Sequence, residues 1–234
     1  MNPFTLIKDA VLHLCYPHVC AGCGTDALPV KSHICVRCLY DLPATGFEKQ
    51  QDNPVEKMLA GRMNVHNASA QFYFTKKSVL QALIHQFKYR GNKELGHQLG
   101  TIMGSQLLES GRFKGIDILI PLPLHASKLQ KRGYNQATIL CNGISAITGI
   151  PVTTDAITRI TATETQTKKH RIERWQNMEG KFTVTRPDKI ENKKLLLVDD
   201  VITTGATIEA CADPLLSVQG VELNIATLCY ASTI

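Results

Sequence analysis

The sequence predicts an α/β fold with a mainly parallel central sheet, preceded by a small cysteine-rich module. Short apolar strands alternate with amphipathic helices through the later two thirds of the chain. Four of the eight cysteines form two closely spaced pairs before residue 40. The composition is 44% hydrophobic and 20% charged, which excludes a disordered chain because enough apolar surface is available to offset the ordering entropy. A length of 234 residues suits one ordinary domain with a small appendage.

The hydrophobic pattern predicts the elements in order. Residues 43–54 are polar and rich in turn formers, and predict a linker. The following strands are predicted at 70–75, 116–120, 194–198 and 221–230, with an extended segment at 151–160. The helices between them are predicted at 78–87, 93–108, 135–147 and 206–216. Pro214 lies inside the last helix and is expected to bend it.

The two cysteine pairs are Cys20-Ala-Gly-Cys23 and Cys35-Val-Arg-Cys38. Each pair can chelate one face of a tetrahedral ion, and the segment between the pairs closes the loop. This spacing predicts a structural zinc site, although the eleven intervening residues are fewer than usual. A module this short is too small to hold a core without such a staple.

Other ligand sets and other thiol chemistry stay open for this module. Two disulfides are disfavoured in a reducing cytosol, and a redox-active CxxC motif needs only one pair. Cys15, His18 and His33 lie near enough in sequence to substitute for one of the four ligands.

Residues 195–207, with the sequence LLLVDDVITTGAT, combine a buried strand, two adjacent carboxylates and a turn that starts a helix. Backbone N–H groups and threonine hydroxyls in such a turn can bind an anion at the helix N-terminus. Asp199 and Asp200 lie where open α/β sheets place their ligands, and they suit sugar hydroxyls or Mg²⁺. An acidic turn with a helix cap would account for only one Asp and one Thr of this array.

This segment resembles the 5-phosphoribosyl-1-pyrophosphate (PRPP) motif of type I phosphoribosyltransferases. The resemblance implies that Asp199 and Asp200 contact the ribose hydroxyls, that the following loop holds the 5-phosphate, and that Mg²⁺ accompanies PRPP. The implied PRPP-binding residues are Asp199, Asp200, Val201, Thr203, Thr204, Gly205, Ala206 and Thr207.

Three further segments make the resemblance specific to one branch of this family. They are LIHQFKYRG at 83–91, IPLPLH at 120–125 with the basic run that continues to 136, and RITATETQ at 159–166 with its continuation to 182. With the cysteine pairs, these segments make the chain similar to the ComF/GntX branch over nearly its whole length. The resemblance implies a phosphoribosyltransferase-like protein of bacterial natural competence, associated with bringing transforming single-stranded DNA into the cytoplasm.

Two loops supply candidate groups for the pyrophosphate of PRPP. The proline-stiffened turn after the strand at 116–120 leaves backbone N–H groups free for a diphosphate, and the Arg132 fork matches phosphate oxygens bidentately. Residues 161–169 are polar and predict a mobile lid that closes on the leaving group. The candidates are Pro123, Leu124, His125, Lys128, Arg132, Lys168, Lys169 and Arg171. The alternative is ordinary surface charge for His125, Lys128 and Arg132, and a solvated loop without a role for the basic residues of the predicted lid.

The charge distribution indicates a phosphate-bearing partner. The 26 basic residues exceed the 20 acidic ones by six, and 76–93 holds five basic residues and no acidic one. Tyr89 and Trp175 lie beside basic residues, which is the pairing used to bind single-stranded DNA, although they could equally be structural. A competence helicase or a DNA-processing protein is the other candidate partner.

The predicted organisation is an N-terminal helix and Cys₄ zinc finger at 1–45, a linker with strand at 46–75, and a phosphoribosyltransferase-like domain at 76–234. Residues 1–14 are amphipathic rather than signal-like, and no window holds about 18 uninterrupted apolar residues, so we expect a cytoplasmic protein without membrane insertion.

The sequence leaves transfer chemistry open. Aromatic residues make up only 6% of the chain, and no segment is a convincing platform for a nucleobase. Nucleobase phosphoribosyl transfer in salvage is one alternative, and a non-catalytic PRPP- or nucleotide-binding adaptor is the other. No catalytic side chain is predicted.

Overall fold

A computed structural model describes residues 18–29, 31–160 and 181–231. Its central sheet has four strands in the order β1-β6-β5-β2, and every pairing within it is parallel. The strands are β1 (Asn67–Tyr73), β2 (Ile118–Pro121), β5 (Lys194–Ile202) and β6 (Glu222–Tyr230). A separate antiparallel ribbon pairs β3 (Ile157–Arg159) with β4 (Phe182–Val184). The predicted α/β class with a parallel sheet is confirmed.

Helices cover both faces of the sheet. They are α1 (Val36–Tyr40), α2 (Pro54–Leu59), α3 (Val79–Tyr89), α4 (Lys93–Ser110), α5 (Ala126–Arg132), α6 (Gln136–Thr148) and α7 (Ala206–Leu216). Alternate residues of β5 face opposite sides, so Leu196 and Val198 pack with α3, α4 and α6, whereas Leu195 and Leu197 pack with α2 and α7. The sheet is therefore buried on both faces, as parallel sheets usually are.

Polar caps fix where the long helices begin. The Ser78 hydroxyl accepts from the Gln81 amide at the start of α3, and the Asn92 side chain accepts from the Leu95 amide at the start of α4. Helices α4 and α6 meet at glycines, because a Cβ at Gly100 would lie 2.4 Å from the Leu140 carbonyl oxygen. Helices α3, α4 and α6 begin and end within two residues of their predicted positions.

The cysteine segment packs directly on the larger unit. Cys20, Ile34 and Cys38 share one apolar cluster with Leu83 and Phe87 of α3. The segment therefore presents one side to α3 rather than standing apart from it.

Three local features differ from the sequence expectation. The expected linker at 43–54 is packed, because Phe47 is buried in the core and the fully buried Asn53 side chain donates to the Ala68 carbonyl oxygen. Strand β5 continues to Ile202, so the two acids lie within the strand rather than after it. Most of 151–156 is irregular and pairs with the sheet only at Val152.

Other expectations concern residues outside the described ranges. They are the amphipathic helix at 1–14, Cys15, and the segment with Lys168, Lys169, Arg171 and Trp175. Within the described ranges, no helix combines the length and the apolar character needed to cross a membrane.

Candidate functional site

Two adjacent carboxylates lie near the carboxyl end of β5. The Asp200 amide donates to the Asp199 carboxylate at 2.8 Å, which ties the two residues together. Burial, followed by the charge of Asp200, raises the pKa of Asp199 to about 7, against the opposing effects of the Asp200 amide and of the Lys88 and Arg159 cations. Asp199 therefore holds a proton through most of the acidic range, and a cation placed beside it would favour loss of that proton.

Lys88 is the direct partner of these acids. Its Nζ lies 2.7 Å from Asp200 Oδ2, and the two side chains are only 17% and 15% exposed. Burial alone would lower the pKa of Lys88, but the Asp200 carboxylate outweighs it and raises that pKa above the ordinary value. The last turn of α3 thus delivers a permanent cation to the end of β5.

Further cations surround this pair. Burial, then the nearby charges of Arg159, Arg132 and Lys88, lower the pKa of Lys128. Lys88 and Arg159 also act on Asp199. The four cations come from α3, α5 and the end of β3, and they outnumber the two carboxylates. This region therefore attracts a polyanion.

A glycine turn joins β5 to α7 beside the acids. Gly205 has a φ of +76°, and a Cβ there would lie 2.9 Å from Leu59 Cδ2, so the turn requires glycine. Arg62 supports the turn from behind, because its Nη1 donates to the Thr204 carbonyl oxygen at 2.7 Å and its Nη2 pairs with Glu209. Gly205 at the N-cap of α7 has no side chain to cap the helix, and the Thr204 hydroxyl accepts from the Ala206 amide at 3.5 Å. The other amides of the first turn are available to an anion.

The structure gives the predicted phosphate residues different surroundings. Val201 lies within β5 and packs into the core, Thr203 is exposed, and Thr204, Ala206 and Thr207 are half-buried around the turn. All of them belong to one continuous strand–turn–helix unit. The predicted motif is therefore compact, with the carboxylates on the strand and the hydroxyls on the turn.

The residues of the first predicted pyrophosphate loop have different roles in the structure. Lys128 and Arg132 contribute to the group of cations around the acids, and Arg132 also lies over the Tyr89 ring at 5.7 Å. His125 instead caps α5, because its Nδ1 accepts from the Ser127 amide. Pro123 and Leu124 are half-buried and connect β2 to α5. The second loop, with Lys168, Lys169 and Arg171, lies outside the described residues.

The four predicted cysteine ligands lie together. The sulfurs of Cys20, Cys23, Cys35 and Cys38 are all within 4.8 Å of one another, and Cys23 Sγ lies 3.7 Å from Cys35 Sγ. Bonds of about 2.3 Å from a tetrahedral Zn²⁺ place two sulfurs about 3.8 Å apart, whereas a disulfide would place them about 2.05 Å apart. The described cysteines are free, and these four could hold a metal ion.

Backbone donors prepare this cluster for a cation. The amides of Gly22 and Cys35 donate to Cys20 Sγ, and the Cys38 amide donates to Cys35 Sγ. Burial opposes ionisation of Cys20, but the amides of Cys23, Cys35 and Gly22 outweigh it and lower the pKa of Cys20 to about 6. Burial and the neighbouring thiols raise the pKa of Cys38. One sulfur is therefore readily ionised, and a metal would supply the charge that ionises the rest.

The alternative ligands His18 and His33 contact each other rather than the sulfurs. Their rings meet edge to face at 5.0 Å, and His18 Nε2 lies 2.7 Å from the Ser32 carbonyl oxygen. Neither imidazole belongs to the four-sulfur group among the described residues.

Sequence reasoning missed three residues of the acidic site. Lys88 and Arg159 lie in the segments 83–91 and 159–166 that carry the family resemblance, but no contact with the acids is predicted for either, and no pattern singles out Arg62. Arg159 ends β3, an antiparallel strand outside the parallel sheet, so the rule that ligands gather at the ends of parallel strands does not identify it. Arg62 lies 142 residues from the carbonyl that it supports, and no local pattern connects them.

Comparison with known proteins finds one matching domain family and several similar proteins. Residues 129–233 match the family of the phosphoribosyl transferase domain. That range contains β5, the glycine turn, α7 and β6. The adenine phosphoribosyltransferase of Leishmania tarentolae covers 81% of this chain and 94% of its own, with a TM-score of 0.39 and 12% identity.

The relatives include proteins named for DNA utilization and for competence. The DNA utilization protein YhgH of Escherichia coli O157:H7 is 31% identical over 153 residues, which are 64% of this chain and 66% of that protein, slightly under two thirds of its length. Competence protein F of Haemophilus influenzae is 27% identical over 217 residues, or 90% of this chain and 89% of that protein. Competence protein ComFC of Bacillus subtilis is 26% identical over 198 residues, covering 85% and 78%.

Proposed function

Because this chain is a homologue of competence protein F, ComFC and YhgH and contains a phosphoribosyl transferase domain, we propose that it binds PRPP and acts in the uptake of transforming DNA. One observation carries the proposal: Asp199 and Asp200 lie beside a glycine turn and face cations from three other elements. Carboxylates suit the ribose hydroxyls, and the surrounding cations and turn amides suit the phosphates.

The donor atoms of the two sites indicate which metal ion each would hold. The four cysteines fit structural zinc, because their sulfurs already lie at the separation that tetrahedral coordination needs. Asp199 and Asp200 fit Mg²⁺, a hard cation that carboxylate oxygens and substrate phosphates hold together. Thiolate coordination persists in a reducing compartment, and we place the protein in the cytoplasm.

Phosphoribosyl transfer needs no nucleophilic side chain, because positioning and charge stabilisation can supply the catalysis. The test is calorimetric titration with PRPP, with and without Mg²⁺, followed by a screen for pyrophosphate release across nucleobases. We expect Mg²⁺-dependent binding. Release with a particular base would make the protein a transferase, and binding without release would make it a PRPP-dependent adaptor. Absence of PRPP binding to the metal-loaded protein would overturn the proposal.

The outer face of α3 supports a role with single-stranded DNA. An open groove of about 530 Å³ runs along this helix between Lys77 and Arg90, and no Asp or Glu is among its described lining residues. Tyr89 next to it is 65% exposed and carries Arg132 over its ring. A basic groove with an accessible aromatic ring is how proteins hold a single strand without reading its sequence.

The DNA role is tested by binding labelled single-stranded DNA at several salt concentrations, with and without PRPP. Direct binding should weaken with a log–log slope of about −0.7 per phosphate neutralised. Replacing Lys77 and Arg90 with Ala should flatten that slope, whereas replacing the exposed Lys57 on α2 should not. If wild-type protein shows no salt-dependent binding, the DNA role must pass through a protein partner, such as a helicase or a DNA-processing protein.

A further inference from the structure

One helix contacts both the cysteine cluster and the acidic site. In α3, the Gln86 Nε2 donates to the Ala21 carbonyl oxygen at 2.8 Å, and two residues later the Lys88 Nζ lies 2.7 Å from Asp200 Oδ2. We infer that α3 couples the two sites, so that a metal ion in the cysteine cluster sets the affinity for the phosphoribosyl ligand through Gln86 and Lys88. This inference rests on the proposed PRPP binding.

The first cysteine pair is in close contact with α3. Ala21 lies between Cys20 and Gly22 in the first cysteine pair and is itself buried. A Cβ at Gly22 would lie 2.8 Å from Val79 Cγ1, so the first pair meets α3 at its first turn as well as at Gln86. Any shift of Cys20 on gain or loss of the metal is therefore passed to α3 at two separate points.

The metal gives the cluster a reason to shift. A bound Zn²⁺ would hold the four sulfurs, which lie within 4.8 Å of one another, at fixed separations. Without the metal, the hydrogen bonds from the Gly22, Cys35 and Cys38 amides are what hold the sulfurs among the described contacts. Loss of the metal therefore loosens the first cysteine pair, and Ala21 within it.

A displacement of α3 at Gln86 also moves Lys88, because the two residues are close together on one packed helix. Gln86 and Lys88 are separated by about 3 Å along the axis, since each residue of an α-helix rises about 1.5 Å. Leu83 and Phe87 on the same helix are fully buried, so α3 moves with its packing rather than bending freely.

Lys88 acts on the ligand through Asp200. The ion pair is largely shielded from water, so a change in its length alters the direction of the Asp200 carboxylate, and its attraction to Lys88, more than it would at the surface. Asp200 is the group expected to accept from a ribose hydroxyl. Lys88 is therefore a positioning residue, and its effect on affinity depends on the geometry of α3.

The test measures PRPP affinity in the presence of Mg²⁺ for the zinc-loaded protein and for protein from which a chelator has removed the zinc. Hydrogen exchange of β5 and β6 confirms that the sheet remains folded in both. We expect removal of the metal to weaken PRPP binding about tenfold, within the range usual for coupled sites. Because coupling is reciprocal, saturating PRPP should tighten zinc binding by the same factor, measured by competition with a chromogenic chelator.

Two glutamines provide a matched pair of variants. Gln86 joins the cysteine segment to α3, whereas Gln98 joins it to α4, accepting from the His33 amide at 2.8 Å and donating to the Ser32 hydroxyl at 2.9 Å. Gln86→Ala should weaken PRPP binding about threefold and reduce the tenfold effect of metal removal. Gln98→Ala loosens the same segment and should leave both quantities nearly unchanged.

Substitutions at Lys88 separate positioning from simple structural support. Lys88→Met should weaken PRPP binding and abolish its dependence on zinc, while Lys88→Arg should restore part of both. Zinc-loaded protein that fails to bind PRPP would overturn the proposed function and this inference with it. PRPP binding that is independent of zinc, or equal effects of Gln86→Ala and Gln98→Ala, would overturn the inference alone.

Discussion

The cysteine cluster and the acidic site both hold like-charged groups close together, but they do so by different means. The cluster draws its four sulfurs and its N–H donors from residues 20–38, and it needs a metal to neutralise them. The acidic site holds Asp199 and Asp200 beside cations from α3, α5 and β3, which come from distant parts of the chain.

The difference shows what each site depends on. The cysteine site is local, so it can be lost while the sheet survives. The acidic site exists only when the whole sheet and its helices are assembled, so its groups are arranged before any ligand arrives. Perturbing one partner at a time in each region shows whether this distinction holds.

Loss of the metal should produce the largest effect. Replacing both Cys20 and Cys38 with Ser removes two of four ligands, and structural zinc contributes on the order of 10 kcal/mol or more to the folding of small modules. We expect hydrogen exchange to show loss of protection over 18–42 with protection retained in β5 and β6. Metal analysis should fall from about one zinc per chain to none. Replacing Cys141, which is buried far from the cluster in sequence, should leave the zinc content unchanged.

The double variant Asp199→Asn and Asp200→Asn should abolish most PRPP binding. Each charged hydrogen bond contributes about 1.5–3 kcal/mol, so affinity should fall on the order of a hundredfold or more. The fold should survive, because each Asn keeps the shape of the Asp that it replaces. Asp213→Asn, on the exposed side of α7, is the matched control and should bind normally. Unchanged binding in the double variant would mean that the carboxylates do not hold the ligand.

The single variants should change stability in opposite directions. Asp200→Asn leaves the Lys88 ammonium shielded without its direct partner, and we expect the free energy of unfolding to fall by about 2 kcal/mol, less than for a fully buried pair because Asp199 remains nearby. Asp199→Asn relieves repulsion and should stabilise the protein above neutral pH. Chemical denaturation at pH 8 measures both changes, and stabilisation by Asp200→Asn would contradict the role given to Lys88.

The pH dependence follows from the raised pKa of Asp199. Its pKa is about 7 in the folded chain and about 3.9 when unfolded, so the folded state binds more protons between about pH 4 and pH 7. The free energy of unfolding should therefore contain a contribution that falls as the pH rises through this window. For a half-buried group we expect about 1–2 kcal/mol. Asp199→Asn should flatten this part of the curve, and an unchanged slope would assign it to other groups.

The smallest effect is expected at the support of the glycine turn. Arg62→Met removes the donor to the Thr204 carbonyl oxygen and the partner of Glu209. PRPP affinity should fall by about 1 kcal/mol, or roughly fivefold, because the turn stays in place but loses one hydrogen bond. Lys57→Met on the exposed side of α2 should have no effect, and zinc content should not change in either variant.

Local patterns predicted the sites unequally. The cysteine spacing alone identified all four sulfurs that the structure brings together, since the cluster is contained in one short segment. The strand, acids and turn of 195–207 could also be predicted, because a buried strand and a glycine turn are adjacent in sequence. The cations from other elements could not be predicted, since the sheet order β1-β6-β5-β2 decides which residues meet at the end of β5.

The polar composition of 43–54 predicts a linker, and this prediction is wrong. Gln50, Gln51, Asp52 and Asn53 indicated a solvated connection, yet Asn53 is fully buried and its side chain holds the Phe47, Gln50 and Ala68 carbonyl oxygens while capping α2. A buried amide that satisfies several backbone groups has the same sequence signature as a surface amide. Only the tertiary structure separates the two.

The packed segment 43–54 also closes one border of the sheet. The Thr45 amide donates to the Gln71 carbonyl oxygen and the Tyr73 amide to the Pro43 carbonyl oxygen, while Asn53 and Glu56 satisfy Ala68. At the opposite border, Pro151 and Thr153 pair with Leu119 of β2. Neither outer strand offers a free row of backbone groups, which protects the sheet against strand-to-strand aggregation. A partner that adds a strand to the central sheet must therefore first displace one of these two border segments.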